Sequence, residues 1–458
     1  MASSVEHEQV LNSARRKSYR RLLPLLVLCY IIAYVDRANV GLAKLLMQKD
    51  MPAFNDAVIG FGAGVFFVGY FLLEIPGTLL CEAWSARKWI SRIMVSWGIV
   101  AAATAWVKTP TQFYVVRFIL GLAEAGFFPG AIIYMTHWFL NRDRTRALGI
   151  FMISTPIAQL ASPKISSWLL SLGTTARPGP LGLVGWQWMY IAWGLPAVIL
   201  GFVVLFFLTD HPNEAGWLTA EERQALGEEL AKERAMRLAK HRMTAWEAVA
   251  HPKVLLLALA YFCVVTGNYG LEFFLPSILQ QWYGLELSKL TWLLLLPPTM
   301  ALTATLLVGW NSDRTGERRL HAALPALIGG VALALWPLTR GHLPLTMACL
   351  MITAAGLKCY LAPFWALPSL FLSKNAAASS VGLINSLANL GGFLGPSVLG
   401  FAQTQTHSYV GGIYFMAFCM GIYSMIIIAL RLGRKDEDRE GRGFEPIMAE
   451  PAESRQST

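Results

Sequence analysis

Apolar residues in this chain come in long unbroken runs, not in the alternation of strands or the one-sided stripes of soluble helices. Twelve runs stand out, near residues 22–47, 57–80, 89–107, 112–139, 145–172, 187–208, 253–281, 288–310, 321–339, 343–372, 376–403 and 410–431. Each exceeds the roughly 17 residues a helix needs to cross a bilayer, whereas barrel strands would be short and alternating. The pattern predicts an all-α membrane protein of twelve transmembrane helices. Pro and Gly inside several runs, as in Gly126 to Gly130 and Pro297-Pro298, are tolerated where neighbouring helices satisfy the freed backbone groups.

Composition agrees. Of 458 residues, 55% are hydrophobic and 14% charged, against about 25% charged in soluble proteins. The apolar run after Lys17 is too long for a signal-peptide core, so no cleaved leader is expected. The six cysteines are scattered and form no CxxC, which predicts neither a disulfide framework nor a metal site. The net charge of +10 resides in short connections, the distribution that membrane topology produces, and so does not imply nucleic acid. Arg87, Lys88 and Arg92, then Arg142, Arg144 and Arg146, then Arg314, Arg318 and Arg319 enrich one set of connections. Both termini belong to that set. The positive-inside rule makes it cytoplasmic, with Arg15–Arg21 and Arg431, Arg434 and Lys435 on the same side.

One connection is long. It contains Thr219-Ala220-Glu221-Glu222, a capping-box pattern, followed by a charged helical stretch to about Arg242. Residues 209–252 are therefore read as a cytoplasmic linker with an amphipathic helix. It joins an N-terminal six-helix half, 1–208, to a C-terminal half, 253–434, and 435–458 form a cytoplasmic tail. The halves echo each other. After the second run Glu82 precedes Arg87 and Lys88, and after the eighth Asp313 precedes Arg314, Arg318 and Arg319. A motif that recurs six spans later indicates two pseudo-symmetric halves with a substrate site between them.

The chemistry lies in ionisable residues at membrane depth. Asp36 falls roughly 21 Å along the first run, past the middle of a hydrocarbon core roughly 30 Å thick. Together with Arg37 it should face protein or a water-filled cavity, because a charge in lipid costs at least about 2.5 kcal/mol. Such a pair marks a substrate or ion pathway; the plain alternative is a self-neutralising pair that only fixes helix packing. Arg117 and Glu124, two turns apart, share a face of the fourth run, with Arg117 at a depth similar to Asp36. An arginine beside a buried carboxylate lets an arriving anion alter that carboxylate's proton affinity, and the guanidinium fork suits a substrate carboxylate. Lys358, about 22 Å into the tenth run, cannot easily snorkel; it is a substrate or proton candidate, or else is paired with a buried partner elsewhere in the bundle. Lys164 and Glu272 are read near outer span ends with structural roles, and Glu74 as support for the loop motif. No phosphate-cradling loop, catalytic triad or zinc spacing is present, so neither an enzyme nor an ATP-driven pump is expected, and no cofactor.

Gly309-Trp310-Asn311-Ser312-Asp313-Arg314-Thr315-Gly316-Glu317-Arg318 resembles the loop motif of the major facilitator superfamily. The first copy departs from it, with Glu82, Ala83 and Ser85 in place of Asp, Arg and Gly. Tyr34 to Asn39, Arg117-Phe118 leading to Gly121–Gly130, Trp217 to Glu222, and Asn385 to Phe393 resemble the anion:cation symporter group, in its tartrate-, sugar-acid- and aromatic-acid-permease branch. The resemblance implies the fold of that superfamily, with Asp36 and Glu124 taking up protons and Arg37 and Arg117 handling an organic anion. Tyr34, Tyr70 and Asn385 would line the cavity, and Glu82, Arg87, Asp313, Arg314 and Arg318 would form gating motifs, Asp313 bonding across to a neighbouring helix end. Thr155 falls where some relatives carry a substrate-contacting Gln, and Gln159 is nearby but out of register. The resulting expectation is a monomer in lipid, at a bacterial inner membrane, that carries a small organic anion with protons by alternating access. An uncoupled facilitator or exchanger is the alternative. A transporter-like sensor is less favoured, since the sequence offers no sizeable output domain.

Overall fold

The computed structural model describes residues 2–238, 251–370 and 374–430. Arg242, the end of the linker, Arg431, Arg434, Lys435 and the 435–458 tail lie outside the described residues. Their regular secondary structure is helical, with no strand among the described residues. The first half comprises α1 (Ala2–Asp50), α2 (Asp56–Ala83), α3 (Ala86–Ala103), α4 (Pro110–Glu124), α5 (Phe127–Trp138), α6 (Asn141–Met152), α7 (Ser154–Leu170) and α8 (Gly185–Phe207). Then come α9 (Ala220–Leu238) in the connection, α10 (Pro252–Tyr283), α11 (Leu287–Leu293) and α12 (Leu296–Thr315). The chain continues through α13 (Arg319–Leu335), α14 (Leu343–Cys359), α15 (Leu361–Ala366), α16 (Lys374–Asn389), α17 (Gly391–Thr406) and α18 (Val410–Ala429).

Twelve crossings result, several of them built from two helices in line. Among the described residues, nine helical stretches are long and apolar enough to cross a membrane. The other three crossings, 86–103, 141–170 and 374–406, carry more small and polar residues. The fourth crossing breaks between α4 and α5 at Gly126, whose φ of 86° is a left-handed conformation that suits glycine. That break leaves Glu124 as the last residue of α4.

Within the first half α3 packs on α8, α2 on α4, and α1 on α7 and α8; within the second, α12 and α13 pack on α14, α13 on α18, and α10 on α17 and α18. Between them, α2 lies along α17, α1 along α10, and α7 against α11 and α12. The α2–α17 contact is backbone to backbone. A Cβ on Gly60 would come within 2.3 Å of the Pro396 carbonyl oxygen, and one on Gly400 within 2.2 Å of that of Asp56. Only glycine permits that approach.

At the end of the bundle opposite the N-terminus, a buried clasp joins the halves. Lys44 is fully buried, 3.2 Å from the Asp56 carboxylate, with its ammonium 3.5 Å from the ring centre of Phe274 in the second half. Asp56 also accepts from Gln48 at 3.0 Å and from the Tyr409 hydroxyl, in the second half, at 2.9 Å.

At the N-terminal end α1 continues beyond the membrane run and holds the connection. Arg15 pairs with Asp143 at the start of α6 at 2.6 Å, and Lys17 with Glu222 on α9 at 2.7 Å. The Thr219–Glu222 capping box forms as its sequence predicts: Glu222 N–H donates to the Thr219 hydroxyl, and Thr219 N–H to the Glu222 carboxylate. Burial pushes the Glu222 carboxyl up, but hydrogen bonds from Lys17, Thr219 and Ser13 outweigh it and hold the group below the usual glutamate range.

Candidate functional site

Arg37 and Glu124 form the centre of the first half. Arg37 Nε donates to Glu124 Oε1 at 2.8 Å and Nη2 donates to the same oxygen. Glu124 is fully buried, and its Oε2 has no partner among the described residues. The Arg37 guanidinium lies 5.0 Å from the Tyr70 ring centre and 5.5 Å from that of Phe66, so aromatic faces replace part of its lost hydration.

Asp36 turns away from this pair. Its Oδ2 accepts from Trp97 Nε1 of α3 at 2.9 Å, while Oδ1 is buried without a partner among the described residues. The self-neutralising Asp36–Arg37 pair is therefore not what forms. Arg117 is fully buried; its Nε donates to the Gly62 carbonyl at 3.3 Å and its guanidinium lies 4.9 Å from the Phe66 ring centre. Phe66 thus adjoins both arginines, one reaching Glu124 and the other held inside the helix packing.

A cavity of about 130 Å³ lies between the halves, bounded by α1, α7, α10, α12 and α14. Its walls are mostly Leu and Pro; its polar members include Asn39, Gln159, Asn268, Glu272 and Lys358. Glu272 corrects its sequence placement. It was expected near an outer span end, but α10 runs for 32 residues and carries the side chain into the cavity. The Tyr34 hydroxyl donates to Glu272 Oε1 at 2.9 Å, and Gln159 Nε2 donates to that hydroxyl at 2.8 Å. Lys358 reaches the same cavity, as its depth in the tenth run suggested. Lys164 matches a structural role, 3.6 Å from the Trp292 ring centre and donating to the Ser288 carbonyl.

Glu74 and Asn385 depart from the sequence reading together. Glu74 was assigned to the loop motif and Asn385 to the cavity lining. Instead the Glu74 carboxylate accepts from Asn385 at 2.8 Å, Ser386 at 3.0 Å and Asn389 at 3.1 Å, joining α2 to α16. The motif residues also find other partners. Arg87 N–H donates to Asp210 at 2.9 Å and its side chain to the Leu208 carbonyl, while Glu82 is exposed. Asp313 pairs with Arg318 inside its own loop at 2.5 Å, not with a neighbouring helix end, and Arg314 lies against Trp310. The short loop puts Arg318 nearer than any other helix.

Sequence reasoning missed Trp97, Lys44 and Asp210. Lys44 had a signal, since it lies seven residues after Arg37 on the same helix face. Trp97 and Asp210 had none, because each is defined by a tertiary partner.

The Major Facilitator Superfamily profile matches residues 26–396. The chain belongs to that superfamily. It is a membrane transporter and not an enzyme. A protein of Agrobacterium vitis, provisionally named a tartrate transporter, is 41% identical over 416 residues, covering 91% of this chain and 90% of its own. A quinolone resistance transporter of Acinetobacter baumannii is 37% identical, covering 91% and 94%. The solved structure of a bacterial homolog of the human lysosomal transporter Spinster, inward-facing and unoccupied, superposes with a TM-score of 0.70. It is 18% identical and covers 90% of this chain and 97% of its own, a likeness of fold.

Proposed function

We propose that this superfamily member is a secondary active transporter that carries a small organic anion together with protons. The anion is a sugar acid, a hydroxydicarboxylate or an aromatic carboxylate. The tartrate named for the Agrobacterium relative falls within that range. The single observation that carries the reading is the Arg37–Glu124 pair, a largely buried cation on a fully buried carboxylate, with a second buried acid, Asp36, next in sequence. A buried arginine is a site for a substrate carboxylate, but here a carboxylate of the chain already occupies it. A substrate anion taking Arg37 would release Glu124, which then needs a proton in place of its lost cation. That exchange couples the two fluxes. Asp36 and Glu124 are the proton carriers in this reading, Arg37 the primary anion site, and Arg117, Tyr34, Tyr70 and Lys358 the supporting set.

The two six-helix halves, 1–208 and 253–434, would rock about their contact, with 209–252 as the connecting segment and 435–458 as a tail. The buried Lys44–Asp56 clasp supports a conformation closed at that end. By the positive-inside rule it is the outer end, with both termini in the cytoplasm of a bacterial cell and the bundle in its plasma membrane. Glu82, Arg87, Asp313, Arg314 and Arg318 would then edge the inner mouth as gating residues.

Uptake of radiolabelled organic acids into proteoliposomes tests this, with pH and sodium gradients imposed separately. Accumulation driven by the pH gradient is expected. Uptake indifferent to both gradients would make the protein a facilitator or exchanger, and sodium-driven uptake would replace the proton.

A further inference from the structure

Glu272 is surrounded by donors from both halves. The Tyr34 hydroxyl reaches Oε1 at 2.9 Å and Oε2 at 3.2 Å, Asn268 Nδ2 reaches Oε2 at 3.4 Å, and Gln159 Nε2 reaches Oε1 at 3.5 Å. Tyr34 is on α1, Gln159 on α7 and Asn268 on α10. The fourth group is Lys358 of α14. Lys358 lines the same cavity, yet among the described residues no carboxylate lies within 4 Å of its ammonium. A phenol and two amides on one carboxylate, at a cavity that a lysine also lines, make a receptor for a carboxylate. Here the carboxylate in it belongs to the chain.

We propose that Glu272 is a tethered competitor: it holds the donor set that a carboxylate of the substrate takes when it binds, and so limits the affinity for anions. The inference rests on the organic-anion reading above and extends it to a second anion-recognising position in the C-terminal half. Charge counting gives its consequences. Empty, the cluster holds one negative and one positive group. An arriving anion makes it net negative, inside apolar walls where charges are poorly screened. With Glu272 neutral, a monoanion such as gluconate or benzoate would balance Lys358, and a dianion such as tartrate would leave one excess negative charge instead of two. With Lys358 neutral, it would face Glu272 alone.

A double-mutant cycle reads this directly. Glu272→Gln keeps an acceptor for Tyr34 and removes the charge; Lys358→Met keeps an unbranched chain and removes its charge. Binding of tartrate, gluconate and benzoate to the purified full chain is measured by titration calorimetry at one fixed pH. Glu272→Gln is expected to bind at least one of the three about tenfold more tightly than the unsubstituted protein, and Lys358→Met about tenfold more weakly. The double variant should return to within about threefold of the starting affinity, the sum of two opposite charge effects on one bound anion. Unchanged or weaker binding in Glu272→Gln, while the unsubstituted protein still binds a probe, overturns the competitor and leaves the organic-anion reading standing. Failure of the unsubstituted protein and of Glu272→Gln to bind any of the three acids overturns both.

Discussion

Arg37 and Asp36 are neighbours in sequence, yet Arg37 reaches α4 to pair with Glu124 while Asp36 reaches α3 to accept from Trp97. Successive residues on a helix point about 100° apart, so a dipeptide on α1 can serve two neighbouring helices. The two acids of the site are thereby separated, one with a cation and one with a neutral donor. They need not release protons together.

Glu124→Gln leaves Arg37 free of its internal carboxylate. Concentrative uptake should fall to background, while exchange of substrate across the membrane stays measurable in Glu124→Gln or in Asp36→Asn. Counterflow and gradient-driven uptake, run on the same proteoliposomes, make the check. Wild-type accumulation in both variants would remove these acids from the coupling.

Arg37→Lys keeps the charge and loses the fork. A hydrogen bond to a charged group contributes about 1.5–3 kcal/mol, so uptake should fall by about one to two powers of ten. Direct binding on the purified variant separates clamp from scaffold. Full affinity would mean that Arg37 does not hold the substrate.

Asp56→Asn strands the fully buried Lys44 ammonium, and breaking a buried pair in this way costs about 3–5 kcal/mol. The clasped end should open more often. A reporter cysteine at Ser277, buried beside the clasp on α10, should react with a maleimide at least about tenfold faster in the Asp56→Asn background. An unchanged labelling rate would show that the clasp does not hold that end shut.

Glu222 sets an acid limit on the packing of α9. Its folded-state pKa lies below the ordinary value, so the stabilisation is fully present above the unfolded pKa and is lost as pH falls through the folded one. Lowering pH from neutral to below the usual glutamate range should loosen α9 from α1, and Glu222→Gln should abolish that dependence. Hydrogen exchange of residues 220–238 across this range reads it. Equal protection at both ends of the range would contradict the role.

Hydrophobic run length was enough to read the twelve crossings, because lipid forces backbone groups to pair within each helix. Depth counting found Asp36, Arg37, Glu124 and Lys358, whose cost in lipid is a property of position along one run. It failed for Glu272, where α10 outlasts the bilayer thickness and distance from one end misplaces the residue. Partners were harder to read. Glu74 with Asn385, Arg87 with Asp210 and Asp36 with Trp97 are joined only by tertiary packing, and no local spacing records such pairs.

The clasp at Lys44 also fixes a leverage. Along α1 the rise of 1.5 Å per residue puts Arg37 about 10 Å from that fulcrum and Lys17 about 40 Å from it. A tilt of about 10° would move the Lys17 end by about 7 Å and Arg37 by only about 2 Å. One rigid rod can thus swing a doorway wide at its far end while the bond-forming groups near its pivot scarcely shift, so that access and grip are governed by the same motion at very different amplitudes.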